Sequence, residues 1–243
     1  MNDSGAFRAV VWDGPHAIHD LGSLVPGGSS VARGINGANQ IVGTSDSSKF
    51  VPHAVRFGVS YSPDGQTITG ITRLDLGSLI PGGRSEGMAI NGSGQVAGNA
   101  AAAGGTHAFL YSDGVGMIDL HPPGQPGSSF GLGINDAGNV VGHFDVGFGN
   151  THAFLWTPTG GMVDLNTMVD PSKGWVLTSA TGINASGMIV GTGTIGGQVR
   201  AFLLTPSGVI VPEPSSAALM ALGVAALVGR AIRRRASRAP RVP

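Results

Sequence analysis

The sequence of 243 residues contains no cysteine, which excludes a disulfide framework and a thiol nucleophile. Charge is scarce as well, at 12% of residues, and aromatic residues make up only 6%. The formal net charge is zero, but six of the fourteen basic residues lie in the last fourteen positions. Residues 1–211 hold eight Lys/Arg against thirteen Asp/Glu, a net charge near −5, which leaves no electrostatic footprint for nucleic acid. The N-terminal residues Met1 to Arg8 show no basic n-region, and no apolar h-region follows.

Glycine is abundant, with 42 residues, and there are 15 prolines. Apolar residues still make up 41% and fall in short β-rich runs such as Gln40-Ile41-Val42-Gly43, so the composition points to many strands joined by tight turns. One segment recurs four times: Gly34-Ile35-Asn36 to Gly43, Ala89-Ile90-Asn91 to Gly98, Gly133-Ile134-Asn135 to Gly142 and Gly182-Ile183-Asn184 to Gly191. Its asparagines are 55, 44 and 49 positions apart. A second segment reads Arg8-Ala9-Val10-Val11-Trp12, then His53-Ala54-Val55, His107-Ala108-Phe109, His152-Ala153-Phe154 and Arg200-Ala201-Phe202. A third is Asp-Leu, at Asp20-Leu21, Asp75-Leu76, Asp119-Leu120 and Asp164-Leu165.

Each unit reads as four short strands, with an Asn/Asp/Gly turn between the first two and Asn39 holding the Gly place in the first copy. Four strands in about 45 residues is the size of a propeller blade. The expected fold class is all-β, a propeller-like array of four-stranded blades with a C-terminal apolar helix; a solenoid of β-units is the alternative. Units are expected at about 29–79, 85–120, 128–167 and 176–211, with residues 1–28 forming a half unit of two strands. The half unit carries the expectation that the reading frame starts late, so that upstream blades and a leader are missing. A lone four-bladed ring with the N-terminal pair on one edge competes with it. The three ordered motifs, over residues 6–205, resemble the HAF repeat. That resemblance implies an exported propeller-like domain and carries over no catalytic residue.

Enzyme signatures are present and fail on context. Gly191-Thr192-Gly193-Thr194-Ile195-Gly196 fits a dinucleotide fingerprint but precedes a strand, where that site requires a helix N-terminus. Gly127-Ser128-Ser129-Phe130-Gly131 fits a hydrolase elbow, yet Ser30 and Ser85 hold the matching place in other units. His53, His107 and His152 recur one per unit, too dispersed to share a metal, and Arg replaces them twice, so they read as hydrogen-bond donors. The repeated aspartates are expected to bond a turn or a neighbouring blade. Glu86, His121, His143 and Asp145 read as non-repeating polar residues that match no ligand motif, and no catalytic residue, metal site or cofactor is assigned.

The tail carries a separate pattern. Pro212-Glu213-Pro214 precedes an uncharged run, Ala217 to Gly229, and then Arg230, Arg233, Arg234 and Arg235. Thirteen helical residues span about 20 Å, short of the roughly 30 Å hydrocarbon core, and Ser215, Ser216 and a snorkelling Arg230 narrow the gap. A transmembrane helix is therefore expected over 215–232, with its arginines cytoplasmic and the repeat body outside. Pro-Glu-Pro, apolar helix and arginine cluster, over residues 211–238, resemble the PEP-CTERM sorting signal. The resemblance implies a Gram-negative exopolysaccharide producer, recognition of Pro212, Glu213 and Pro214 by an exosortase-type membrane protease, and loss of the apolar tail. The expected function is an exported, non-enzymatic protein of the cell surface or exopolysaccharide matrix, held in the inner membrane before processing, with exopolysaccharide or surface proteins as further partners. The alternatives are an extracellular hydrolase of matrix glycan and a truncated gene fragment.

Overall fold

The Asn-to-Gly turns that punctuate the sequence each close a β-hairpin, and the hairpins assemble into five antiparallel sheets in chain order. A computed structural model describes residues 5–13, 17–48 and 51–206. The first sheet has two strands, β1 (Val10–Asp13) and β2 (Ala17–Asp20). The second runs β3 (Ser30–Ile35), β4 (Gln40–Asp46), β5 (Pro52–Tyr61) and β6 (Ile68–Asp75). The third is β7 (Ser85–Ile90), β8 (Val96–Ala102), β9 (Gly105–Ser112) and β10 (Gly116–Asp119). The fourth is β11 (Ser129–Ile134), β12 (Val140–Gly147), β13 (Asn150–Thr157) and β14 (Gly161–Asp164). After two 3-10 turns, Leu165–Met168 and Pro171–Lys173, the fifth sheet holds β15 (Trp175–Ile183), β16 (Ile189–Ile195) and β17 (Gln198–Leu204).

The recurring residues have specific jobs in these hairpins. The first strand of each of the last four sheets carries a register shift, as between Gly131 and Gly133, and a backbone carbonyl just before it lies close to the partner strand. That carbonyl faces the glycine that follows the two apolar residues of each repeat, as in Ile41-Val42-Gly43 and Val140-Val141-Gly142. A Cβ on Gly43, Gly98, Gly142 or Gly191 would collide with the carbonyl oxygen of Val31, Glu86, Phe130 or Ser179 respectively. In the last three sheets the cleared space also seats the ring of the next strand's phenylalanine, with Phe154 only 2.9 Å from where a Gly142 Cβ would stand. Asn39 adopts φ 58°, the left-handed turn conformation that Gly94, Gly138 and Gly187 take in the other units.

Both faces of the second, third and fourth sheets are apolar because each of these lies between two others. Val42 and Ala54 of the second sheet pack with Val96 and Phe109 of the third, and Ala97, Ala108 and Leu110 then pack with Val140 and Phe154 of the fourth. Val141, Ala153 and Leu165 repeat the contact against Leu177, Ala180 and Ile189 of the fifth. The Leu of each Asp-Leu pair is buried at these junctions, at 0–5% exposure for Leu21, Leu76, Leu120 and Leu165. Each such side chain stabilises the junction by roughly 1.5–3 kcal/mol.

The all-β class of the sequence reading holds, while closure into a propeller ring is not found among the described residues. The outward faces of the first and fifth sheets remain exposed, at Trp12 (59%) and Ile18 (64%) on one and Leu203 (59%) on the other. Among the described residues no helix is long and apolar enough to cross a membrane. The transmembrane helix expected over 215–232, and the last residues of the unit expected at 176–211, lie outside the described residues.

Candidate functional site

Three sets of repeated polar residues couple neighbouring strands and sheets. The first is a ladder of asparagines. Asn36, Asn91 and Asn135 each donate from Nδ2 to the backbone carbonyl of the next Ile-Asn asparagine, at 2.9, 3.0 and 3.1 Å, ending on Asn184. Their Oδ1 atoms meanwhile accept backbone N–H groups of their own turns, such as Gln40 N at 3.0 Å and Gln95 N at 2.9 Å. One amide thus closes a turn and ties it to the next sheet.

The second set consists of serine pegs. Ser30, Ser85 and Ser129 accept at Oγ from the N–H groups of Ala9, Ala54 and Ala108 of the preceding sheet, at 3.2, 2.8 and 3.0 Å. At the last junction Asn166 takes over, accepting from Leu177 N and donating to Leu177 O. Ser129 also meets His121, whose Nδ1 is 3.0 Å from its Oγ while Nε2 is 3.1 Å from the Gln125 carbonyl. A carbonyl only accepts, so Nε2 carries a proton, and in the neutral ring Nδ1 then accepts from the serine hydroxyl. This Ser–His contact resembles a nucleophile and its base. Ser129 is nevertheless fully buried and already receives the Ala108 N–H, and the ring is oriented by a carbonyl where a triad has a carboxylate.

The third set joins the His and Asp motifs, which turn out to be two halves of one pair. His53, His107 and His152 hold Asp75, Asp119 and Asp164 at 2.9, 2.8 and 2.6 Å through Nδ1. Each carboxylate also accepts a backbone N–H two residues on, from Gly77, His121 and Asn166. Arg8 takes the histidine's place beside Asp20 at 3.8 Å, and Asp20 accepts from Gly22 N in the same way. The pair fastens the third strand of a sheet to the fourth and caps the turn that delivers the buried leucine. Among the described residues no group of three or more His, Cys, Asp or Glu is placed to hold a metal ion.

The residues read as non-repeating are spread over the stack. Glu86 on β7 reaches Arg33 on β3 at 3.4 Å in an exposed ion pair, worth at most about 1 kcal/mol. Asp145 does have a counterpart: it accepts from Ser128 N as Asp46 does from Ser29 N, at 2.9 and 2.7 Å. His121 stacks on His107 with ring centroids 4.2 Å apart, and both border an open groove with Asp119, Pro123, Trp156 and Met162. Asp145 lies across the 122–127 loop, in a second groove with Gln125 and Asn150.

His143 on β12 stacks on Phe130 at 4.9 Å, and burial holds its pKa below the ordinary histidine value, opposed by Asp145. As pH falls through that ordinary value, about 6.5, the unfolded chain takes up a proton that the folded chain resists. The stability contributed by neutral His143 is therefore present above that pH and is lost on acidification. His143→Phe should preserve the stack and lose less stability than the wild type between about pH 7.5 and about pH 5. Urea titrations at both pH values measure the difference, and parallel losses would refute it.

The sequence-predicted sorting residues Pro212, Glu213 and Pro214, and the basic residues Arg230, Arg233, Arg234 and Arg235, lie outside the described residues. Comparison with known families decides what they form. Residues 211–235 match the PEP-CTERM protein-sorting motif. The matched span takes in Pro-Glu-Pro, the uncharged run and the arginines through Arg235. The PEP-CTERM motif thus accounts for the tail, and the five sheets lie wholly before it. No curated protein matches the chain.

Proposed function

We propose that this chain is an exported, non-enzymatic β-repeat protein of the cell surface or exopolysaccharide matrix, sorted by its PEP-CTERM motif and processed by an exosortase-type membrane protease. The observation that carries this reading is the motif itself, matched over residues 211–235 with Pro212-Glu213-Pro214 at its start. In this role the apolar run holds the chain in the inner membrane, the arginines stay cytoplasmic, and the sheets lie outside. The five sheets then serve as HAF-type, propeller-like blades. Support for a non-catalytic body comes from the engagement of its repeated polar groups: histidines with aspartates, serines with backbone N–H groups, asparagines with turns and neighbouring sheets. Loops around the grooves beside residues 122–127 offer the surface for matrix glycan or surface proteins.

The test is a copy carrying a tag ahead of the motif, with Pro212, Glu213 and Pro214 all changed to alanine. The unaltered protein should shorten and leave the membrane fraction, while the triple variant stays there at full length. Normal shortening of the variant would overturn the sorting role.

A further inference from the structure

The contact that joins successive sheets has two sides, and the described chain leaves one of each uncovered. Inside the stack, the leading faces of the third and fourth sheets present an aromatic–methionine pair, Tyr111 across from Met117 and Trp156 across from Met162, and the latter two pack on the Ala97, Ala108 and Leu110 cluster of the preceding sheet. On the first sheet the corresponding pair is Trp12 across from Ile18, exposed at 59% and 64%. The trailing face of the fifth sheet repeats the other side. Val190 lies across from Leu203, and Thr192 across from Ala201, on one face. Val190 corresponds to Ala97, which is fully buried, but is 46% exposed; Leu203 corresponds to Leu110, 4% exposed, but stands at 59%. Val199, across from Thr194 on that face, is 71% exposed.

We propose that the trailing face of the fifth sheet docks the leading face of the first sheet of a second copy of this chain, Trp12 and Ile18 covering Leu203 and Val190. The occupant follows from repetition: the two open faces are of the two kinds that pack together at all four sheet junctions within the chain. The union is head to tail, so it is heterologous and propagates into oligomers unless the rotation closes a ring. It goes beyond the sorting reading and stands independently of it.

The test uses the full chain in non-ionic detergent, so that the apolar tail is shielded, with mass followed against concentration by sedimentation. Wild type should assemble as concentration rises. Trp12→Glu and Leu203→Glu should each weaken self-association at least about tenfold, as expected for a charge placed at an interface centre. Trp12→Glu keeps a good trailing face and Leu203→Glu a good leading face. Their equimolar mixture should therefore form a dimer and nothing larger, which association through the tail would not produce. A concentration-independent monomer for wild type, as ring closure within one chain or burial of the face by the tail would give, overturns the proposal. So does unchanged assembly in either variant. If the mixture stays monomeric, Ile18→Lys and Val199→Lys provide a second pair at exposed positions, and failure of that mixture also overturns it.

Discussion

Replacing Gly142 with alanine is expected to destabilise the protein by about 3 kcal/mol or more, the upper range for overpacking. The new methyl would run into the carbonyl oxygen of Phe130 on one side and the Phe154 ring, 2.9 Å away, on the other. The carbonyl belongs to the paired backbone of β11, just before its register shift, so it has no rotamer through which to escape. Phe154 is fully buried in the junction of the third and fourth sheets, so it has no room to retreat. For a domain of this size the loss should lower the Tm by roughly 6–12 °C. Gly37 supplies the control, because a Cβ there meets nothing within 4 Å and its φ is not positive. Gly37→Ala should be neutral or stabilising by up to about 1 kcal/mol. Thermal denaturation of both variants decides the matter: equal melting temperatures would mean that the glycine after Val140-Val141 is not fixed by the opposing carbonyl and ring.

The second large effect is expected at Asn91, which is 4% exposed. Its Oδ1 accepts from Gln95 N and Ser93 Oγ, both at 2.9 Å, and its Nδ2 donates to the Asn135 carbonyl at 3.0 Å. Asn91→Ala strips partners from buried backbone groups in two sheets at once, and should cost about 2–4 kcal/mol. Asn184 has the same turn, closed by Ser186 N and Met188 N, but is exposed and has no further sheet among the described residues to donate to. Asn184→Ala should therefore cost only the turn contribution, about 1 kcal/mol. Urea denaturation of the two variants separates the turn from the rung that joins sheets. Equal costs would reduce the ladder to a set of independent turns.

Much of the strand order was legible because each strand carries its own mark. Ile-Asn, two apolar residues with a Gly, the His/Arg-Ala segment and Asp-Leu fall on successive strands of the sheets, and the left-handed turn residue at Asn39 could be read from the glycines in the other units. The His–Asp pair was harder to see. His107 and Asp119 are 12 residues apart, yet His53 and Asp75 are 22 apart because β5 and β6 form a longer hairpin. Spacing alone therefore hides what the register makes obvious. The cross-sheet role of asparagine was also hidden, since the same amide satisfies a local turn rule and that rule suffices to explain it. Asp145 read as unique because only Asp46 shares its place, while the equivalent residue in the third sheet is Ala101. Tail recognition needed no tertiary information. A short motif, an uncharged run and a basic cluster in order are a linear signal, and that is the portion a family model matched.

The asparagine ladder has a consequence for how such a chain can change over generations. Every rung runs from one sheet to the next, at sequence separations of 55, 44 and 49, and each apolar cluster likewise spans two successive sheets. Stability then accumulates link by link, much as in other modular arrays. Duplicating or deleting one unit disturbs only the two junctions it touches and leaves the remaining links intact. The molecule is extensible in the way a chain of identical couplings is, so its reach can be adjusted by recombination without redesigning a core.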